Sequence, residues 1–203
     1  TNSSSTHSLT IDEWKEIDEY NFDPIFKLRE DHYYFSEEER KQIKTLSPQF
    51  LEFEWSEPYF EGNRSSFKLS YLITLIAQEK HREDDDRIQG KEYLDEKERC
   101  WKYSDAYEAL KEDVNRVCSE LKISVDWPLM KEPTKDDEWY NLNGSIDHQS
   151  YDFARKLVKY LFVWASDHYY GDPVPREVRE DFDNRLRNYL FDPRVKLDIS
   201  SDG

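Results

Sequence analysis

Phe67-Lys68-Leu69-Ser70-Tyr71-Leu72-Ile73-Thr74-Leu75-Ile76-Ala77 is the stretch on which the fold turns. Phe67, Leu69, Tyr71, Ile73 and Leu75 alternate with period two, as on a strand. Leu72 and Ile76 fill the opposite face, so a buried strand and a buried helix both satisfy the pattern. Upstream, Leu51, Phe53 and Trp55 alternate with Glu52, Glu54 and Ser56, which reads as a half-buried strand. A turn region around Glu61-Gly62-Asn63 separates the two runs. The expectation is therefore an antiparallel hairpin near 50–77, with a helix over 67–77 as the alternative. The charge run Lys80 to Arg87, which contains Glu83-Asp84-Asp85-Asp86, then reads as an exposed loop or fraying end.

Helix signals dominate on either side. Thr10-x-x-Glu13 is a capping box, followed by Ile11, Trp14, Ile17 and Tyr20 at roughly helical spacing. Ser36-x-x-Glu39 is a second box, opening a short helix through Ile43 to Leu46 that stops before Pro48. From about Glu92 to Leu121, Leu94, Cys100, Trp101, Tyr107, Leu110, Val114, Val117 and Leu121 trace one helical face, with a break near Tyr103-Ser104 as an alternative. A long polar loop through Trp127-Pro128 and Pro133 to Gly144 follows. Asp147 to Trp164 is the next helix, with Tyr151, Ala154, Leu157, Val158, Leu161 and Phe162 turned inward. Asp172 with Pro173 marks the start of the last helix, whose inner face is Val178, Phe182, Leu186 and Tyr189 and whose end is Phe191-Asp192-Pro193. Val195, Leu197 and Ile199 alternate, giving a terminal strand over 195–199 that would add to the hairpin. The expected fold is mainly α: a bundle of about five to six helices with a small antiparallel β element, α+β being the alternative. Residues 1–9 and 200–203 read as disordered tails around a single domain over 10–199.

The charge is the strongest functional signal. The chain carries 45 acidic and 29 basic residues for a net charge of −16, together with 15% aromatic residues. Disordered acidic chains are poor in aromatics, because they cannot offset the entropy of ordering. This one should fold and hold its charge on its surface, where it repels nucleic acid and anionic lipid and attracts basic proteins. The five glycines are scattered, so no GxGxxG or P-loop phosphate cradle is present. Cys100 and Cys118 lie about 27 Å apart along a continuous helix, too far for a disulfide. The apolar run around Tyr71 to Ala77 is too short to span a bilayer. The start has neither a basic n-region nor an apolar h-region. A soluble cytoplasmic protein is expected.

Catalytic and metal motifs are missing. His7, His32, His81, His148 and His168 stand in no HExxH, ExxH or HxxxH spacing, and no GxSxG elbow occurs. No metal or cofactor is expected. The tetrapeptide Asp-His-Tyr-Tyr occurs twice, at Asp31–Tyr34 and Asp167–Tyr170, which a chain rich in Asp and Tyr produces readily. Acids and aromatics interleave in Glu54, Trp55, Glu57 and Tyr59, in Asp136, Asp137, Glu138, Trp139 and Tyr140, and in Asp167, His168, Tyr169, Tyr170 and Asp172. With Asp84, Asp85 and Asp86 these are the candidate partner-binding residues: aromatics anchor, and carboxylates steer and pair with cations.

The expected function is non-enzymatic: binding, and inhibiting or masking, a basic nucleic-acid-binding protein such as a nuclease. DNA-mimic inhibitors and immunity proteins work this way, and the comparison is physical analogy alone. A subunit of a larger assembly is a second reading. A hydrolase or nucleotide-modifying enzyme, with a site built from scattered Asp, Glu and His, is a third. For that enzyme His32, His148 and His168 would be the residues to test.

Overall fold

Ten consecutive residues, Lys68 to Ala77, each have at most 7% of their surface exposed. A strand would bury alternate residues on one face; only an element surrounded on every side buries ten in a row. In the computed structural model this stretch lies in α1, Ser65–Ile88, which corrects the expected hairpin. The β-branched and aromatic residues that suggested a strand, Tyr71, Ile73, Thr74 and Ile76, are tolerated because packing outweighs their modest cost in a helix. The run Lys80 to Arg87, expected as a loop or fraying end, continues α1. The structure describes residues 5–11, 15–16, 21–23, 43–51, 60–62, 65–88, 103–129, 148–166, 168–169 and 172–201.

Three more helices complete the α layer among the described residues: α2 (Tyr103–Glu120), α3 (His148–Leu161) and α4 (Arg176–Phe191). Each is amphipathic as its sequence indicated. On α2, Ala106, Tyr107, Leu110, Val114, Val117 and Cys118 are buried, and on α3, Phe153, Ala154, Leu157, Val158 and Leu161. The described part of the protein is thus largely helical, with four α-helices; the expected count of five to six includes segments that lie outside the described residues.

Helix α4 begins four residues after the expected Asp172 cap, at Arg176 with Pro175 in the capping position. The sequence Pro173-Val174-Pro175 explains the shift. The residue before a proline is pushed out of the helical region, so Val174 cannot be helical and the helix waits for the second proline. Just past the end of helix α2 stands Lys122, whose φ of 58° lies in the left-handed region. Ile123 N–H donates to the Cys118 carbonyl at 2.9 Å and Lys122 N–H to the Ser119 carbonyl at 3.0 Å. This is a Schellman ending with Lys122 where glycine is usual and buried Ile123 as its apolar contact.

The antiparallel sheet has strand order β2-β1-β6-β4, with β1 at Ser5–Ile11, β2 at Lys15–Glu16, β4 at Phe60–Gly62 and β6 at Val195–Ser201. The terminal strand expected over 195–199 is present. It pairs along its length with β1, from Ser5↔Ser201 to Ile11↔Val195, and on its other side with β4. The Thr10 capping box is therefore not a helix start. Thr10 and Ile11 lie in β1, which pairs with β2 at Thr10↔Glu16, and the Thr10 hydroxyl donates to Asp198 at 3.0 Å. A cap is a local signal; here Leu9, Val195 and Leu197, all 0% exposed, supply a long-range one that is stronger. Ser5–Leu9 and Ser200–Ser201, expected in disordered tails, belong to this sheet.

The segment 43–51 is extended, where a helix reaching Leu46 was expected. Thr45–Leu46 forms β3, paired parallel with β5 at Ser124–Val125. Beyond it the segment lies along α1 as a strap. Ser47, Gln49 and Leu51 donate their N–H groups to the side-chain oxygens of Ser66, Ser70 and Thr74 at 3.3, 2.9 and 2.8 Å. Two residues of extended chain advance about 6.7 Å and four residues of helix about 6.0 Å, so the two ladders stay nearly in step. The other edge of the strap serves β5, through Ser124 N–H to the Lys44 carbonyl and Asp126 N–H to the Leu46 carbonyl. Pro48 follows on that second edge, past the last β5 bond, where a missing N–H costs nothing. Of the expected strand Leu51–Trp55, only Leu51 falls within the described residues, and it is in no strand.

Candidate interaction surface

Several arginines among the described residues pair with carboxylates of the fold itself, while Lys44 and Lys122 are exposed. Between α2 and α4, Arg116 donates Nε and Nη2 to the two oxygens of Asp183 at 2.9 and 2.6 Å, and Nη2 also to Asp113 at 2.6 Å. Burial raises the Asp113 carboxyl above its ordinary value, and Arg116 beside it pulls the other way. The same two carboxylates hold the Arg116 guanidinium protonated, its hydrogen bonds to Asp183 being the largest cause. Arg179 approaches Asp113 at 3.9 Å, and Arg187 pairs with Glu120 across the same helix interface. Arg185 pairs with Asp181 at 2.7 Å and lies over the Tyr160 and Phe182 rings, 4.6 and 4.9 Å from their centroids. Arg176 pairs with Glu180, and Arg194 with Asp192.

Carboxylates remain outside. Glu112, Asp126, Asp172 and Glu177 are exposed, and none has a cationic partner among the described residues. Beside Asp126 stands an aromatic corner. Tyr107 meets Trp127 edge-on at 6.1 Å and Phe50 at 6.5 Å. Its hydroxyl donates to the Pro128 carbonyl at 2.8 Å, and Trp127 Nε1 donates to Asn115 at 3.0 Å. Lys111 caps the Tyr107 ring at 4.6 Å while pairing with Glu108 at 2.8 Å. Burial pushes the Tyr107 phenol up to about 12, so it remains a neutral donor. Leu129, next along the chain, is 90% exposed. An exposed apolar side chain and a half-buried Trp thus follow directly on the exposed Asp126.

The sequence-derived candidates fall mostly elsewhere. Glu54, Trp55, Glu57, Tyr59, Asp136, Asp137, Glu138, Trp139, Tyr140, Asp167 and Tyr170 lie outside the described residues, as does His32. Asp84, Asp85 and Asp86 are in the last turns of α1. His168, Tyr169 and Asp172 share one connection before α4, built from two successive turns: Tyr169 N–H to the Ser166 carbonyl and Asp172 N–H to the Tyr169 carbonyl, both 3.3 Å. His168 and Asp172 are exposed and Tyr169 is half-buried. His148 opens α3. Sequence reasoning passed over the Asp113–Arg116–Asp183 clamp, the Trp127–Leu129 corner and the strap. The Asp113-x-x-Arg116 and Ser66-x-x-x-Ser70-x-x-x-Thr74 spacings were the signals for two of them.

Among the described residues no group of three or more His, Cys, Asp or Glu side chains is arranged to hold a metal ion. None of the described helices is long and apolar enough to cross a membrane. No protein-family model, curated protein or solved structure matches this chain.

Proposed function

We propose that this chain is a non-enzymatic interaction protein that binds a basic, nucleic-acid-binding protein surface and masks it. The observation that carries the reading is the division of charge. Arg116, Arg176, Arg185, Arg187 and Arg194 are each paired with a carboxylate of the fold itself, while Glu112, Asp126 and Glu177 face solvent. Exposed carboxylates stand in for phosphates towards a partner's Lys and Arg, and Trp127 and Leu129, which follow Asp126, supply apolar anchorage. Long-range attraction then governs encounter, and the anchors govern residence time.

The test is capture by the tagged protein from lysate at about 50 and 500 mM salt, where the screening length falls from roughly 14 to 4 Å. A basic protein is expected at low salt and should be released at high salt. Glu112→Lys/Asp126→Lys should slow its association, and Leu129→Asp should speed its dissociation. Recovery of no basic protein at either salt overturns the proposal, as does capture that both variants leave unchanged.

A further inference from the structure

We infer that the seam between α1 and the α4–β6 corner opens with uptake of one proton by Lys68. Lys68 is 0% exposed in the first turn of α1, where the helix's ten-residue buried stretch begins. Its Nζ donates to the Asp192 carbonyl at 2.9 Å and lies 5.9 Å from the Tyr189 ring centroid. In return, the Tyr189 hydroxyl donates to the Lys68 carbonyl at 3.1 Å. Two reciprocal bonds therefore join the same two places, each from one side chain to the other partner's backbone.

The carboxylate that would ordinarily balance a buried ammonium is otherwise engaged. Arg194 holds Asp192 through Nε at 3.0 Å, Nη2 at 2.7 Å and its own N–H at 2.9 Å. Asp192 offsets the charge of Lys68 only in part, and burial, the larger cause, lowers the amine to about 7. The other ionisable groups at this place are Tyr189 on α4 and Tyr71 on α1, both pushed well above the usual phenol range by burial. On α2, the next helix packed against α1, the buried ionisable groups are Tyr107, Asp113 and Cys118. Asp113 is taken by Arg116, and burial pushes the Cys118 thiol up to about 12. Between pH 7 and 9, Lys68 is the group of this set that changes charge.

Once the seam opens, the amine regains the ordinary lysine value near 10.4. The closed form binds fewer protons than the open form between about 7 and 10.4. Opening is therefore favoured as pH falls through that window and levels off below it. From pH 9 to pH 7 the opening equilibrium should rise about 50-fold.

Two measurements decide the matter. The 13Cε signal of Lys68 in the wild-type protein should titrate with a midpoint near 7. Amide exchange at Leu72, Leu190 and Val195, corrected for intrinsic rates, should show protection falling about 50-fold from pH 9 to pH 7. In Lys68→Met that dependence should vanish. The variant leaves no orphan carbonyl, because Asp192 O also accepts Val195 N–H at 3.1 Å. A Lys68 midpoint above 9 overturns the inference, with or without a folded Lys68→Met protein. So does a pH response that persists in the variant.

Discussion

Thr74→Val tests whether the strap over 47–51 is held by the hydroxyl ladder of α1. The substitution preserves shape but removes the acceptor for the Leu51 N–H, now 2.8 Å away, and the donor to the Ser70 carbonyl at 2.7 Å. The carbonyl keeps its place in the helix ladder; the amide is left without a partner. An orphaned, partly buried amide costs about 1–3 kcal/mol. The added methyl returns up to about 0.8 kcal/mol of burial, because Thr74 is 1% exposed. A net loss of about 1.5 kcal/mol is expected.

Ser70→Ala loses the 2.9 Å bond from Gln49 N–H but gains about 0.5 kcal/mol of helix propensity, so its net cost should be about 0.5–1 kcal/mol. Ser66→Ala, whose bond is 3.3 Å long and exposed, should change stability by less than about 0.5 kcal/mol. Equilibrium urea unfolding gives these differences from the midpoints, and hydrogen exchange locates them at Gln49 and Leu51. If the strap lifts as a unit, the Ser70→Ala/Thr74→Val pair should cost less than the sum of the singles. Unchanged stability and unchanged Leu51 protection in Thr74→Val would refute the ladder.

Lys122→Gly should raise stability by about 0.5–1 kcal/mol, since Lys122 occupies a left-handed position that glycine adopts without a Cβ penalty; an unchanged or lowered thermal midpoint would count against that account. Arg116→Met should cost about 3 kcal/mol at neutral pH, because it removes the close partner of Asp113 and Asp183, whose side chains are 7% and 12% exposed, and leaves Asp113 only Arg179 at 3.9 Å. Burial first, and the neighbouring Asp183 after it, would then hold the Asp113 carboxyl above its unfolded value against the weaker pull of Arg179. Stability from such a group is full below the unfolded pKa and lost as pH rises through the folded one, so the deficit should shrink as pH falls towards 4. Urea unfolding at pH 4.5 and 7.5 reads the difference, and an equal deficit at both values would sink the argument.

The helices that were legible in sequence are those with one wet face. On α2 and α3 the apolar positions recur at three and four because solvent writes the polar residues between them. Helix α1 has no wet face between Lys68 and Ala77, so no period survives, and its β-branched residues pointed the wrong way. The strand β1 was hidden for another reason. Its partner lies at the far end of the chain, Ser5 against Ser201, whereas the Thr10 capping box was complete within four residues. Strand β6 was readable because Val195, Leu197 and Ile199 alternate cleanly with the polar, half-buried Lys196 and Asp198, whatever they pair with.

Charge was legible as a total and illegible as a distribution, and the difference bears on function. Arg116 finds Asp183, and Arg187 finds Glu120, each across 67 residues, a pairing that no local spacing announces. Every such pair removes one charge of each sign from the outside. The excess of −16 is untouched by it and is carried by the groups that remain. Among the described residues, internal pairing of the arginines leaves Glu112, Asp126, Asp172 and Glu177 exposed without a cationic partner. An approaching polycation meets carboxylates whose natural counter-ions are already committed to holding α2 against α4. Breaking that clamp with Arg116→Met should weaken the fold without adding any free cation to the surface, so its effect on partner association should be far smaller than that of Glu112→Lys/Asp126→Lys. If the two variants slowed association equally while both remained folded, the partner would be reading the shape of the α2–α4 pair, and the division of charge would not be what it recognises.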